Sequence, residues 1–367
     1  MKILFDCHTF DVGPQGTSTY LAGIINSINS NCKDNIEIWC AANEKKSVEN
    51  FIHVDFNFVK IHKNFFLRNA LSIPAATIKL NPDFIVSQYV RPIYAKNKTV
   101  SVIHDVLFED YPEYFSKTYK TMRSLFFKWS ARNSDIVFTV SDYSKNRISN
   151  LYGIDKNKIF VTANGLQFEA KKMLSRKTQK PHAEKDILRL IYVGRHEKRK
   201  RHEWCVDLCS DLIKSGKKIN IKLVGSRDKN ITTKILDNFE KMRGEKFSYD
   251  IIENISPEDL LMQYINSDLM IYPSKCEGFG IPIIEASALG LPCVIGNGSS
   301  FDELNEFFCG EFFLIDSQAD FIEKCNLVAN NINDYNKKAE KISAKIIEKF
   351  DWEKISSEFR KVLSNHE

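Results

Sequence analysis

The sequence predicts an α/β protein made of two doubly wound, parallel-sheet domains. Short apolar runs alternate with amphipathic stretches from end to end, which is the pattern of buried parallel strands joined by helices. Each half carries six such runs of its own. A polar stretch without clear periodicity, residues 166–186 (LQFEAKKMLSRKTQKPHAEKD), divides them.

In the first half the strands expected are KILFDCHT, IEIWCAAN, FIVSQY, TVSVIHD, DIVFTVS and IFVTAN, and in the second LRLIYVG, INIKLVG, YDIIEN, DLMIYP, PCVIG and FFLID. Helices are punctuated between them. Ser256-Pro257-Glu258-Asp259 offers an N-cap, a proline at the first helical position and acids in the first turn, while Gly216 and Gly290 stand where helices should stop. WEKISSEFRKVL reads as a final helix. A chain of 367 residues exceeds one ordinary core and suits two domains of about 150 to 180 residues. The boundaries expected are 1–166, a linker at 167–186, 187–349, and a closing segment 350–367.

Bulk properties narrow the function. Hydrophobic residues make up 43% and charged residues 27%, as in an ordinary globular protein. No apolar run approaches a membrane span, and Asp6 and His8 interrupt the N-terminus where a signal peptide needs an apolar core, so a cytoplasmic protein is expected. The nine cysteines form no C-x-x-C pair and read as reduced, mostly buried thiols. Net charge is +5. Residues 1–170 hold 20 basic against 16 acidic side chains and the remainder 32 against 31, so the excess lies in the first half. It is too small for nucleic acid as a partner and suits an anionic surface or acceptor.

Ligands of doubly wound sheets bind beyond the carboxyl ends of the strands, so the residues just after each strand are the candidates. After DLMIYP comes CEGFGIPIIEASALG, with seven residues between Glu277 and Glu285. Gly278 and Gly280 allow close backbone approach, the following helix start offers free N–H groups, and two carboxylates can each take paired hydroxyls of a sugar or ribose. A helix N-terminus decorated with acids accounts for Glu285 but not for Glu277 with G-F-G-I-P behind it. After LRLIYVG come Arg195 and, five positions on, Lys200, a fork and a point charge suited to one diphosphate; Lys198, Arg199 and Arg201 read as a solvated basic run. After the first strand Gly13, Pro14 and Gly16 form a loop that Thr17 or Ser18 caps. His104-Asp105 closes TVSVIHD, where a histidine serves either structure or chemistry.

SKCEGFGIPIIEA, preceded about 80 residues earlier by VGR-x4-K, resembles the donor site of the family-4 retaining glycosyltransferases, whose GT-B fold sets two Rossmann-like domains facing across a cleft. IHD, DIVFTVSDYSK, Asn164-Gly165 and FDWEK extend the likeness over nearly the whole chain. The resemblance implies that Arg195 and Lys200 hold the donor diphosphate and Glu285 the ribose. Glu277 and the backbone of Gly278, Phe279, Gly280 and Ile281 would bind hydroxyls of the transferred sugar, with His104 beside it, Gly16 on the phosphate side, and the last helix returned to the first domain. Two departures stand out: PQGT replaces a G-G or G-I-G loop, and ENIS replaces a glycine-containing turn near the base.

The implied reaction moves a hexose from a nucleotide-diphosphate sugar, GDP-mannose before a UDP-hexose, to a saccharide or lipid-linked oligosaccharide in surface polysaccharide synthesis. Without a D-x-D pair to hold Mg²⁺, no metal and no cofactor are expected, and front-face attack makes a carboxylate nucleophile unnecessary. A nucleotide-sugar 2-epimerase on the same fold is the alternative enzyme. A dehydrogenase lacks its G-x-G-x-x-G, and RHEKRKR is too short and too flanked by acids for a nucleic-acid face. On FSKTYKTMRSLFFKWSAR, helical spacing sets Phe115, Met122, Leu125, Phe126 and Trp129 opposite Lys117, Lys120, Arg123, Lys128 and Arg132, with Phe127 at the surface among the bases. That face reads either as the solvated cationic side of a helix packed on the first sheet or as a surface that rests peripherally on the anionic inner face of the cell membrane.

Overall fold

The computed structural model describes residues 1–30, 36–167, 186–307 and 313–367. The expected linker, apart from its end residues Gln167 and Asp186, lies outside the described residues. The chain forms two compact units, one of Met1–Gly165 with Phe350–Glu367 and one of Leu166–Lys349.

In the first unit seven parallel strands run in the order β3-β2-β1-β4-β5-β6-β7. They are β1 Lys2–Asp6, β2 Glu37–Ala42, β3 Asn57–Lys60, β4 Phe84–Gln88, β5 Lys98–Val102, β6 Ile136–Thr139 and β7 Ile159–Val161. Six match the apolar runs. The seventh, β3, escaped the sequence because it is a four-residue edge strand, NFVK, with no fully buried position. Strand order reverses between β1 and β4, where Phe5 pairs with Val86. On one face Leu4 and Ile85 join Ile73 and Ala76 of the helix Ile73–Leu80 in a core cluster.

The last helix, Trp352–Ser364, belongs to this unit and is capped by the Asp351 side chain. Gly23 and Gly165 make room for Trp352, since a Cβ on either would lie 2.2 or 2.5 Å from its ring. Phe359 stacks on Phe138 at 4.3 Å and the Ser356 hydroxyl donates to the Ser27 carbonyl at 2.9 Å.

Helix Lys117–Asn133 corrects the expected orientation. Phe127 is buried, stacked on Tyr89 at 4.8 Å, and packs in the core with Ala131. Arg123 lies one turn earlier on that same strip, its guanidinium 4.3 Å from the centre of the Tyr119 ring and 5.5 Å from that of Phe127. Met122 and Leu125 are exposed. The wheel was turned because a guanidinium held by aromatic rings can face a core that hydropathy reserves for apolar side chains.

The second unit holds six parallel strands in the order β10-β9-β8-β11-β12-β13: β8 Ile187–Val193, β9 Lys218–Val224, β10 Phe247–Ile252, β11 Leu269–Tyr272, β12 Cys293–Gly296 and β13 Phe313–Ile315. Its order reverses between β8 and β11. Ser256 caps the helix Pro257–Ile265 by accepting from the Asp259 N–H at 3.1 Å. In the ENIS turn Asn254 takes φ +52°, a left-handed conformation asparagine adopts more readily than most residues, and so does what glycine would do there. Seven cysteines among the described residues are buried free thiols. Among the described residues no helix is long and apolar enough to cross a membrane.

Candidate donor site

β8 and β11 flank the reversal of the second sheet, and each ends in a loop that delivers a charge to the same place. From the β8 side, Lys200 is buried and reaches the Glu277 carboxylate at 2.5 Å and the Tyr272 hydroxyl at 2.5 Å. Its carbonyl accepts from the Tyr192 hydroxyl at 2.7 Å, fixing the turn. From the β11 side, Glu277 also accepts from Ser274 Oγ at 2.7 Å and Tyr272 Oη at 3.1 Å. Burial alone would raise the Glu277 pKa, but Arg199 and Lys200 outweigh it and hold the carboxyl at about 2. It is therefore ionised across the physiological range.

Arg199 corrects the reading of the basic run. Its side chain is largely buried, with Nη1 3.1 Å from Glu277 Oε1 and donating to the Cys276 carbonyl at 2.8 Å, and Nε 2.9 Å from Glu197. Arg201 lies over Trp204, 4.3 Å from the ring centre. Arg195 differs from both: its side chain is 67% exposed and its Nε lies 3.2 Å from Glu197. Glu197 thus touches one buried and one exposed guanidinium.

The loop after Glu277 is stapled to the loop after β12. Glu277 N–H donates to Ser299 Oγ at 3.0 Å, and Ser300 Oγ donates to the carbonyls of Glu277 and Phe279, each at 3.0 Å. Gly296 permits this approach, because a Cβ there would meet the Ser274 carbonyl at 1.9 Å. Gly280, at φ +99°, turns the chain into the helix Ile281–Ala288 with Pro282 in its first turn. Glu285 lies on that helix, 3% exposed. Tyr264 Oη donates to its Oε2 at 3.0 Å, while Oε1 has no partner. Burial pushes its pKa up to about 7 against the pull of Tyr264.

Glu277 and Lys200 therefore meet directly, with Arg199, Tyr272 and Ser274 around them, and Glu285 stands apart beside Tyr264. Arg199, Tyr264, Ser299 and Ser300 were not singled out from sequence. Ser274 stands inside the same SKCEGFG motif and was legible there; the serines at 299 and 300 carry no pattern that links them to position 277.

In the first unit His104 follows β5, 6% exposed, its Nε2 2.9 Å from Gln88 Oε1, with Tyr20 edge-on at 5.0 Å between ring centres. Burial pushes its pKa down to about 3, so the imidazole is neutral. Gly16 is exposed and begins the helix Gly16–Ser27. The N-cap is Gln15, not Thr17 or Ser18; Ser18 Oγ closes the turn by accepting from the Gln15 N–H at 2.8 Å.

Comparison with known proteins bears on the family and the fold. The family described as "Glycosyl transferases group 1" matches residues 175–349 and "Glycosyltransferase Family 4" matches 33–169. A 41.2 kDa protein of the cps region of Klebsiella pneumoniae is 26% identical over 41% of this chain and 40% of its own length. The serotype-specific mannosyltransferase WbdA of Escherichia coli is 33% identical over 33% of this chain and 15% of its own. The matches thus span well under two thirds of either relative. Among solved structures, Anabaena HepE in complex with UDP and glucose superposes with a TM-score of 0.72 at 17% identity, over 99% of both chains. Two parallel Rossmann-like sheets of this kind are the GT-B fold, and with both halves matched the chain belongs to the group 1, family-4 type of glycosyltransferases.

Proposed function

We propose that the protein transfers a hexose from a nucleotide-diphosphate sugar to a saccharide acceptor in surface polysaccharide synthesis, with retention of configuration and without a metal. The observation that carries this is the Lys200–Arg199–Glu277 cluster at the reversal of the second sheet. Three cations, Lys200, Arg199 and the exposed Arg195, stand against two carboxylates, Glu277 and Glu197, and leave one net positive charge. A leaving diphosphate is what such a cluster stabilises. In the reaction the bond from C1 to the phosphate oxygen breaks, the acceptor oxygen bonds C1 from the same face, and the acceptor proton passes to the departing phosphate oxygen. Glu277, released from part of its pairing by the phosphate, takes sugar hydroxyls; Glu285 Oε1 takes ribose hydroxyls. His104, a neutral imidazole, offers a ring nitrogen to a hydroxyl.

The donor preference, GDP-mannose before a UDP-hexose, draws on WbdA's being a mannosyltransferase, while the HepE complex holds UDP. Thermal shift and calorimetry with GDP-mannose, UDP-glucose, UDP-galactose, GDP and UDP test the reading. Stabilisation by one nucleotide sugar and its diphosphate is expected, followed by an α-linked product with an α-linked donor. No response to any of the five would overturn it, and inversion at C2 of the donor without acceptor would favour the epimerase.

A lipid-linked acceptor brings this enzyme to a membrane. Leu125 and Met122 on the helix Lys117–Asn133 and Phe66 on the segment before β4 are exposed, and Phe65 packs on Phe126 at 5.3 Å, which joins the two segments. Lys63 and Lys117 stand exposed nearby in sequence. Exposed apolar side chains with bases suit anionic lipid, roughly 1 kcal/mol per base near the surface. Co-sedimentation with anionic vesicles should exceed that with neutral ones and fall in Leu125→Ser with Lys117→Gln; indifference to both changes removes the membrane role.

A further inference from the structure

The charges that follow β8 form a chain of alternating sign within the second unit. Arg195 Nε lies 3.2 Å from Glu197 Oε1, Glu197 Oε2 lies 2.9 Å from Arg199 Nε, Arg199 Nη1 lies 3.1 Å from Glu277 Oε1, and that oxygen meets Lys200 Nζ at 2.5 Å. Its two ends differ. The Arg195 side chain is exposed, whereas those of Arg199 and Lys200 are largely buried.

The two buried cations are also held differently. Lys200 is a point charge on a flexible stem, resting on Glu277 and the Tyr272 hydroxyl, so its Nζ can turn to a diphosphate by rotation of the stem. Arg199 is fastened on several sides: Nε to Glu197, Nη1 to both Glu277 and the Cys276 carbonyl, and its own carbonyl to the Lys275 N–H at 2.7 Å. A planar fork tied in this way cannot swing without breaking these contacts together. It joins the turn Lys198–Lys200 to the loop after β11 wherever the Lys200 ammonium points. Burial would raise the Glu277 pKa, and Arg199 first and Lys200 second bring it to about 2. The largest single attraction on that carboxylate thus comes from the cation that stays in place.

We propose that Arg199, backed by Glu197, is a positioning residue for the donor sugar: it holds Glu277 toward the sugar hydroxyls while Lys200 and Arg195 turn to the diphosphate. The role rests on the transferase reading, and Arg199 acts through Glu277. When the diphosphate draws off Lys200 and Arg195, Glu277 and Glu197 each lose one cation and share the one between them. Without Arg199 the buried Glu277 carboxylate would face the sugar with no countercharge, and would either take a proton or follow Lys200.

Calorimetry on the full chain tests this with GDP-mannose and UDP-glucose, each against its bare diphosphate. Arg199→Gln keeps a donor for the Cys276 carbonyl and removes the charge; it should weaken the nucleotide sugar at least about tenfold and the matching diphosphate less than about twofold. Arg199→Lys, which restores the charge without the fork, should regain at least about half of that loss on a logarithmic scale. A residue that only tied two loops together would weaken both ligands alike. If Arg199→Gln does not fold, Arg199→Lys decides, with a loss of about two- to fivefold expected for the nucleotide sugar and none for the diphosphate. Equal losses for the two ligands, or wild-type affinity for both, overturns this role alone and leaves the transferase reading standing. Failure of the wild type to bind any of the four ligands overturns the transferase reading and this role with it.

Discussion

The two sheets reverse their strand order in the same manner and furnish the reversal in opposite ways. In the second unit the charges at the ends of β8 and β11 satisfy one another: Lys200, Arg199, Tyr272 and Ser274 converge on a single oxygen of Glu277. In the first unit Asp6 and Arg68 stand 3.7 Å apart without a hydrogen bond through Nε, and Asp6 gives its other oxygen to His8 at 3.0 Å. The second unit joins its charges in one cluster of short contacts; the first holds its buried cation and carboxylate at longer range. A charged ligand can repartition a paired cluster because its own charge replaces part of the pairing.

The largest expected effect breaks the paired site. Lys200→Ala should lower kcat/KM at least about a hundredfold and also destabilise the fold by about 3 kcal/mol, because it strips a cation from a buried carboxylate. Arg195→Ala should match the loss in kcat/KM with an unchanged melting temperature, since that side chain is 67% exposed. Equal melting losses in both variants, or wild-type turnover in either, would contradict the division between a buried and a waiting cation. Activity should survive EDTA in full; abolition by EDTA with rescue by Mg²⁺ would show that the side chains do not replace a metal.

Next in size is the split between the glutamates. Glu277→Ala should impair binding of the intact nucleotide sugar by about a hundredfold and of bare diphosphate by under tenfold, whereas Glu285→Ala should weaken both alike. Calorimetry with each ligand decides, and parallel losses in Glu277→Ala refute the division.

A smaller effect follows from pH. The Glu285 pKa is raised from 4.5 to about 7, so the folded chain binds more protons than the unfolded one between those values and loses stability as pH rises through that window. The loss is on the order of 3 kcal/mol and should vanish in Glu285→Gln. Diphosphate affinity should move the other way, rising through about pH 7 as the carboxylate forms and accepts the ribose. Melting curves and titrations at pH 5, 6, 7 and 8 test both, and a flat wild-type profile excludes this role for Glu285.

Much of the molecule was legible without coordinates. Twelve strands announced themselves because parallel strands covered on both faces must be apolar throughout. Lys200 and Glu277 were legible because strand ends are where such sheets bind, and Gly280 because its φ of +99° suits little else. The edge strand β3, the orientation of the helix Lys117–Asn133 and the burial of Arg199 were not. Each depends on partners distant in sequence: β3 on the strand it borders, Phe127 on Tyr89, Arg199 on a carboxylate 78 positions away. Local pattern fixes whether a segment buries a face and where its ends lie, since those follow from periodicity and backbone sterics. Which charge is neutralised and which is left waiting is decided only when the fold brings separate strand ends together, because pairing strength depends on distance and burial that no local spacing encodes.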